Sequence, residues 1–401
     1  MTVHIIGGGI AGLAASIGCL QRGLGVRLYE AAPHLGGRCR SFFDATLGVE
    51  IDNGTHAFLA SNAALHRYIN VIGSAAKVHS ARGAPFFIDI ATQSSWAMSL
   101  LSPGPGIGLR DMISACQLFW AKPGQTASDV LKATPIAARN MWEPLCTAAL
   151  NTPLAEGSAQ LLAQVIKAMA LPSGIWRGLQ TADISLSQTF IDPAAQWIEI
   201  KGGSICLTSP LRELRSEQDR AVALKFDGLD VALHQTDVVI LALPPWSPLL
   251  APFGIGDLPS SPIVHAHFKP TGNSITKRVD RLTGLIGGQG QWLLERGGVV
   301  SVTISAADQF IDMPPETLAK TLWQEIAPLS DQNQTPLPPY RVIKERRATL
   351  RHTPDVERLR PKAITSLQNV FLAGDWTATG LPCTLESAAQ SGFTAARLAI
   401  D

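Results

Sequence analysis

The chain lacks any block of like charge. Lys and Arg total 33 against 32 Asp and Glu, the net charge is +1, and no basic run stands out. That balance argues against nucleic acid, which calls for a basic patch or stripe. Charge is also scarce overall, at 16% of residues against 46% hydrophobic. Such a chain is not disordered. Its 401 residues allow two domains with large cores and leave apolar surface or an apolar cavity to be explained. Cysteine is sparse. Cys19, Cys39, Cys116, Cys146, Cys206 and Cys383 form no C-x-x-C and no metal-ligand spacing. This excludes a cysteine-based metal site, and scattered free thiols are expected in a reducing compartment. No signal-peptide pattern opens the chain. One uncharged run, Val238 to Gly256, is long enough to suggest a membrane span. It contains Pro244, Pro245, Pro248 and Pro252, so it is not one regular helix. Internal repeats and low-complexity segments are missing too. A cytoplasmic protein is expected, with contact at the inner face of a membrane left open.

What is present begins at the N-terminus. "TVHIIGGGIAGLAASIGCLQRGLGVRLYEA" reads as strand, glycine turn, helix and second strand. Val3 to Ile6 form a β-branched run, and Ile10, Leu13, Ala14, Ile17 and Leu20 recur at helical spacing. Gly23 and Gly25 close the helix, and Val26 to Tyr29 form the second strand of a right-handed βαβ unit. Gly7, Gly9 and Gly12 fit G-x-G-x-x-G. The first permits the tight turn, the second lets a pyrophosphate approach the backbone, and the third brings the helix close to the sheet. The helix N-terminus then offers free N–H groups to the phosphates. Glu30 ends the second strand, where a carboxylate accepts hydrogen bonds from ribose hydroxyls and disfavours a 2′-phosphate.

The other chain end, "FLAGDWTATGLPCTLESAAQSGFTAARLAID", reads as a strand, Gly374-Asp375, a loop and a helix. A strand and helix alone have no core, so they must join the N-terminal sheet. The expected fold is α/β, with a Rossmann-type FAD-binding domain assembled from residues 1–75, 196–255 and 352–401. Residues 76–195 and 256–351 are expected to form an α+β substrate domain. Within these stretches, residues 158–170 read as helix, and 220–243 and 299–304 as strands.

"LGGRCRS" (Leu35 to Ser41) and "EIDNGTHAF" (Glu50 to Phe58) follow the second strand. Together with the glycine turn they resemble the amine oxidase and phytoene desaturase superfamily of FAD enzymes. That resemblance implies FAD contacts at Ile10, Ala11, Ala31, Gly36, Gly37 and Arg38. It implies others at Gly54, Thr55, His56, Gly374, Asp375, Pro382, Thr384 and Leu385. Asp375 would bond the ribityl hydroxyls, and a helix beginning near Thr384 would point its positive end at the flavin. The segments 142–166, 183–205 and 287–308, with "KERRATLRHTP" and "LAGDWTATGLPCTLESAAQSG", resemble the hydroxysqualene dehydroxylases. The last helix departs from that family's usual L-E-G-A-V-R-S-G, reading Leu385-Glu386-Ser387-Ala388-Ala389-Gln390-Ser391-Gly392.

The resemblance implies reduction of hydroxysqualene to squalene with FAD, on a route from farnesyl diphosphate to squalene and hopanoids. Upstream enzymes of that route are candidate partners. The chemistry asks for a proton donor, because hydroxide leaves badly from an allylic carbon. His56 is the first candidate donor and Asn151 the second, beside backbone groups and water. Trp142, Trp376 and Phe58 are candidates for stabilising a cation, with core packing as the plainer reading. Ser95 to Lys122 is either a membrane-dipping segment or ordinary core. A carotenoid or phytoene-type FAD desaturase and a non-catalytic isoprenoid carrier are the alternatives. No metal is expected.

Overall fold

The computed structural model describes residues 1–81, 85–98, 103–170, 179–270, 282–329 and 336–400. The expected βαβ unit is Thr2–Ile6, Ile10–Leu20 and Gly25–Tyr29. Its strands belong to a five-stranded, wholly parallel sheet. The order is Ser204–Cys206, Gly25–Tyr29, Thr2–Ile6, Val238–Leu241 and Val370–Leu372. The C-terminal strand therefore does close a sheet begun at the N-terminus, some 370 positions away in sequence. These strands are mostly apolar because both faces are buried: the first and last helices lie on one, and the antiparallel strands Leu211–Glu217 and Arg220–Phe226 lie on the other, where Phe226 stacks on Tyr29.

The final helix, Leu385–Leu398, lies against the first. Contact is close because both helices carry glycine there. A Cβ at Gly392 would overlap Ala11 O and sit 2.8 Å from Ala15 N, and one at Gly18 would sit 2.7 Å from Ala396 Cβ. Ala182, Leu186, Phe190, Ile191, Ala194 and Ile198 share this core. Chain that the sequence division places on the substrate side thus packs partly on the first helix.

A seven-stranded sheet forms the second layer. Its order is Tyr340–Leu350, Ser260–Phe268, Val299–Ser305, Trp292–Arg296, Leu282–Ile286, Phe86–Asp89 and Ser95–Ala97. Val264, Ala266, Phe268, Val300, Val302 and Ile304 turn one face toward the helix Pro315–Ile326. A third core gathers Trp142, Cys146, Leu150, Leu161 and Leu162 around the helices Glu143–Leu150 and Ala159–Ala170. The segment from Ser95 to Lys122 splits into the strand Ser95–Ala97 and the helix Leu109–Gln117. Residues 99–102 of it lie outside the described residues.

Val238 to Gly256 forms a strand and a short 3₁₀ turn, Pro248–Phe253. Among the described residues no helix is long and apolar enough to cross a membrane.

Candidate active site

The glycine turn is built as its spacing predicts. Gly7 has φ +110, and a Cβ on it would overlap the carbonyl of Ala242, just past the end of the neighbouring strand Val238–Leu241. A Cβ on Gly12 would overlap Gly7 O. Gly9 meets no such obstacle: the nearest atom to its added Cβ is Gly36 O, at 4.0 Å. Gly36 N donates to Gly8 O at 2.9 Å, so the turn of Gly36 and Gly37 docks beside the first. An added Cβ on Gly37, at φ +56, would lie 3.6 Å from Gly9 Cα. Two glycine turns thus leave a lane bounded by backbone alone, a cradle that side chains would fill and that fits a pyrophosphate. Ile10 and Ala11 open the buried helix behind it. Glu30 accepts from Gly8 N at 2.6 Å and from Ala32 N at 2.8 Å, with Ala31 exposed between them. Its carboxylate is therefore held at the end of the second strand, beside the turn. The residues present fit FAD.

The C-terminal loop is tied to this cradle by Arg38. Its Nη2 bonds Asp375 Oδ1 at 2.7 Å, and its Nη1 donates to Ala348 O at 2.5 Å. Gly374, at φ +153, places its N–H on Ser391 Oγ at 2.9 Å. Pro382 is buried, Thr384 caps the final helix by accepting from Ser387 N, and Leu385 opens it. Ser387, one of the departures from the family pattern, donates to Asp375 O at 3.0 Å. Glu386 accepts from Ala64 N and Leu65 N and so caps the helix Ala63–Val71.

Sequence reasoning missed the group that holds this loop. Arg360 is buried and donates to the carbonyls of Asp375, Trp376, Thr377 and Leu381 and to Thr379 Oγ1. It also bonds Glu357 Oε2 at 2.7 Å. Glu357 Oε1 meets His352 Nδ1 at 2.6 Å, and Cys383 N donates to His352 Nε2 at 2.8 Å. That second bond makes Nε2 the acceptor and leaves the proton on Nδ1. Burial pushes the Glu357 carboxyl up, but His352 and Arg360 outweigh it and hold its pKa below the ordinary value. The available signal was three ionisable residues close together in a chain thin in charge, since buried charges must pair.

His56 and its neighbour Thr55 are half-buried. Burial lowers the His56 pKa, the Asp52 carboxylate opposes this and Arg38 adds to it. Asp52 is itself fixed by Arg296, Ser41 Oγ and Leu186 N. Gly54 is needed for a different reason: an added Cβ would sit 2.6 Å from His265 Nε2. Arg38, Asp52 and Asp375 therefore act electrostatically on His56, and His56 in turn on His265. Asn151 belongs to another group. It ends the helix Glu143–Leu150 in the left-handed conformation, φ 48. Its side chain donates to Ser261 O and Thr349 Oγ1, each at 3.0 Å, and accepts from Ala306 N at 2.6 Å. Trp142, Trp376 and Phe58 are all core residues, and Trp376 Nε1 donates to Leu243 O. Among the described residues no cluster could hold a metal ion.

A parallel Rossmann sheet, a three-glycine turn and a C-terminal strand and helix returned to that sheet make the frame of an FAD-dependent oxidoreductase. The model of the family described as flavin containing amine oxidoreductase matches residues 143–400. That of the NAD(P)-binding Rossmann-like domain matches residues 5–70. Two hydroxysqualene dehydroxylases align end to end. That of Rhodopseudomonas palustris is 37% identical over 100% of this chain and 98% of its own. That of Sinorhizobium fredii is 34% identical over 99% and 98%. A probable zeta-carotene desaturase of Synechococcus elongatus is 23% identical over 100% and 99%. Among solved structures, an oxidoreductase from Methanosarcina mazei superposes with a TM-score of 0.74 at 13% identity, covering 98% and 99% of the two chains. The chain belongs to the hydroxysqualene dehydroxylase family, within the flavin containing amine oxidoreductases.

Proposed function

We propose that this protein reduces hydroxysqualene to squalene. The observation that supports this reading best is end-to-end identity of 37% to a hydroxysqualene dehydroxylase, on an intact dinucleotide cradle. The carotene desaturase also aligns with the whole chain, but at only 23% identity. Reduced FAD supplies the hydride that replaces the departing oxygen.

The chain does the rest. Gly7, Gly9, Gly12 and the N-terminus of the first helix take the pyrophosphate, with Gly36, Gly37 and Arg38 closing the lane. Glu30 takes the ribose hydroxyls, and its two backbone N–H partners hold it there. Asp375 and the N-terminus of the final helix face the flavin side. His56 is the first candidate to protonate the allylic hydroxyl, because it is a half-buried imidazole that feels the charges of Asp52, Arg38 and Asp375. Asn151 stays the second candidate, with its amide already bonded within the protein. Residues 1–75, 196–255 and 352–401 would carry FAD, and 76–195 and 256–351 the lipid.

The experiment is anaerobic incubation of the reduced holoenzyme with hydroxysqualene, with product identified by mass. Squalene should form, with one flavin reoxidised per product. His56→Ala should slow it by ~10²–10⁴ with FAD still bound. A rate within a few-fold of the parent clears His56. Squalene-dependent flavin reduction without dehydroxylation establishes a desaturase instead. A protein that stays colourless with added FAD is a carrier.

We also place the protein at the inner face of a membrane, receiving its lipid from the upstream squalene-pathway enzymes. Leu109, Ile113 and Trp120 are 77%, 58% and 77% exposed on and beside one helix, with Phe119 and Ile136 nearby and Arg110 and Lys122 alongside. Apolar side chains flanked by cations suit an anionic bilayer. Flotation with anionic vesicles should be lost in the Ile113→Ser, Trp120→Ser double variant. Unchanged flotation removes this surface from consideration.

A further inference from the structure

Two buried histidines have no part in the chemistry above. His265 and His267 occupy alternate positions on the strand Ser260–Phe268 and so share one face. Opposite them on the antiparallel strand Val299–Ser305 stand Thr303 and Ser301. His265 Nδ1 lies 3.0 Å from Thr303 Oγ1, and His267 Nδ1 lies 2.8 Å from Ser301 Oγ. The two rings are nearly parallel, 6.4 Å apart at 19°. The other face of the same strands is the apolar core under the helix Pro315–Ile326. Polar groups buried in such a setting cost roughly 1–3 kcal/mol each where a partner is missing.

The two ends of this ladder differ. His267 is 2% exposed, and its Nε2 meets no side-chain partner. It lines a cavity of about 290 Å³ that Asp52 and Arg296 also line, with Glu50, Asp183 and Gln188 at the exposed rim. His265 is pressed against Gly54, where only glycine admits the ring, and Thr55 and His56 follow directly. The charged groups facing His267 are Asp44, Asp52 and Arg296, and His265 faces His56 and His267. Arg341, paired with His267 on the outer strand, is drawn to Asp44.

Reduction of an allylic alcohol consumes one proton per turnover. The C–O bond breaks, the hydride forms the C–H bond, and the oxygen leaves as water with its own hydrogen and one proton from the protein. A site that excludes water around its substrate must draw that proton through the protein. We propose that His267, Ser301, His265 and Thr303 conduct protons from the cavity beside Asp52 and Arg296 to His56, an inference that rests on the dehydroxylase reading. Each imidazole takes a proton on one nitrogen and releases one from the other, each hydroxyl bonds the Nδ1 of its own rung, and water carries the proton across the 6.4 Å between the two rings. The four residues act through His56.

The test is single turnover of the reduced, full-length holoenzyme with hydroxysqualene in H₂O and in D₂O. His267→Ala should slow squalene formation by ~10²-fold, the low end of what loss of a proton-transfer group costs. It should also enlarge the solvent isotope effect and be largely restored by added imidazole, with flavin spectrum and KM unchanged. Ser301→Ala breaks the same rung with a smaller change and should enlarge the isotope effect even if His267→Ala fails to fold. Parent-like rates and isotope effects in the variants overturn the relay. So does a loss that imidazole leaves unrelieved with the isotope effect unmoved, since that marks a structural role. A parent that binds FAD but forms no squalene overturns the dehydroxylase reading itself, and the relay with it.

Discussion

Replacing Arg360 by Met should detach the C-terminal loop from its support without touching the glycine cradle. The side chain is 1% exposed and bonds one carboxylate, four carbonyls and a hydroxyl. Removing it leaves Glu357 in the interior with His352 Nδ1 as its remaining side-chain hydrogen-bond partner, and leaves the carbonyls of Asp375 to Thr377 short of a donor. Loss of one partner from a buried, hydrogen-bonded charge pair costs about 3–5 kcal/mol. The entropy of unfolding, about 2.1 cal/mol/K per residue, makes each kcal/mol worth roughly 1 °C in a chain of this length, so Tm should fall by about 3–5 °C. The same loop carries Asp375, so FAD should also be released more readily from the folded protein. Differential scanning fluorimetry checks the first effect and flavin fluorescence on dilution the second. Arg360→Lys should recover part of the charge but not the fan of donors, and should fall between the two. Parent-like Tm and flavin release in Arg360→Met would show that the loop is held by its own strand and helix, and the reasoning would fail.

Glu30→Ala should weaken FAD binding by about 1–3 kcal/mol through lost charge-assisted ribose bonds, as titration of the apoprotein would show. Unchanged affinity removes Glu30 from the site. Acid should destabilise the fold earlier than carboxylate titration alone predicts. Burial depresses the pKa of His267 to about 4 and that of His265 well below its ordinary value, so the folded state binds fewer protons than the unfolded one. Their contribution is complete above the unfolded value of 6.5 and is lost as pH falls through the folded value. For His267 it is on the order of 3 kcal/mol. Denaturant titrations at successive pH values should show a flatter decline in His267→Asn than in the parent, and equal slopes would contradict this.

The nucleotide unit was legible because its information is local. Strand period, helix period, three glycines and Glu30 all fall within about 30 consecutive residues, and each answers to backbone sterics or to a single ligand group. The C-terminal Gly374-Asp375 and the helix start at Thr384 were legible for the same reason. Tertiary structure decided what pairs with what. The edge strand Ser204–Cys206 has three residues, too few for a period, and exists because Gly25–Tyr29 offers it an open edge. The bond from Arg38 to Asp375 joins positions 337 apart in sequence, and nothing local in either stretch selects the other. "HAH" in Ser260–Phe268 alternates like a strand with its polar residues toward solvent. Only the packing of that face against Gly54 and the hydroxyls of Val299–Ser305 puts both imidazoles inside. Arg360 reads as one more surface cation until the fold wraps the loop Asp375–Leu381 around it. Local sequence sets what a segment prefers to be, and burial, which depends on every other segment at once, sets which of its groups must find partners.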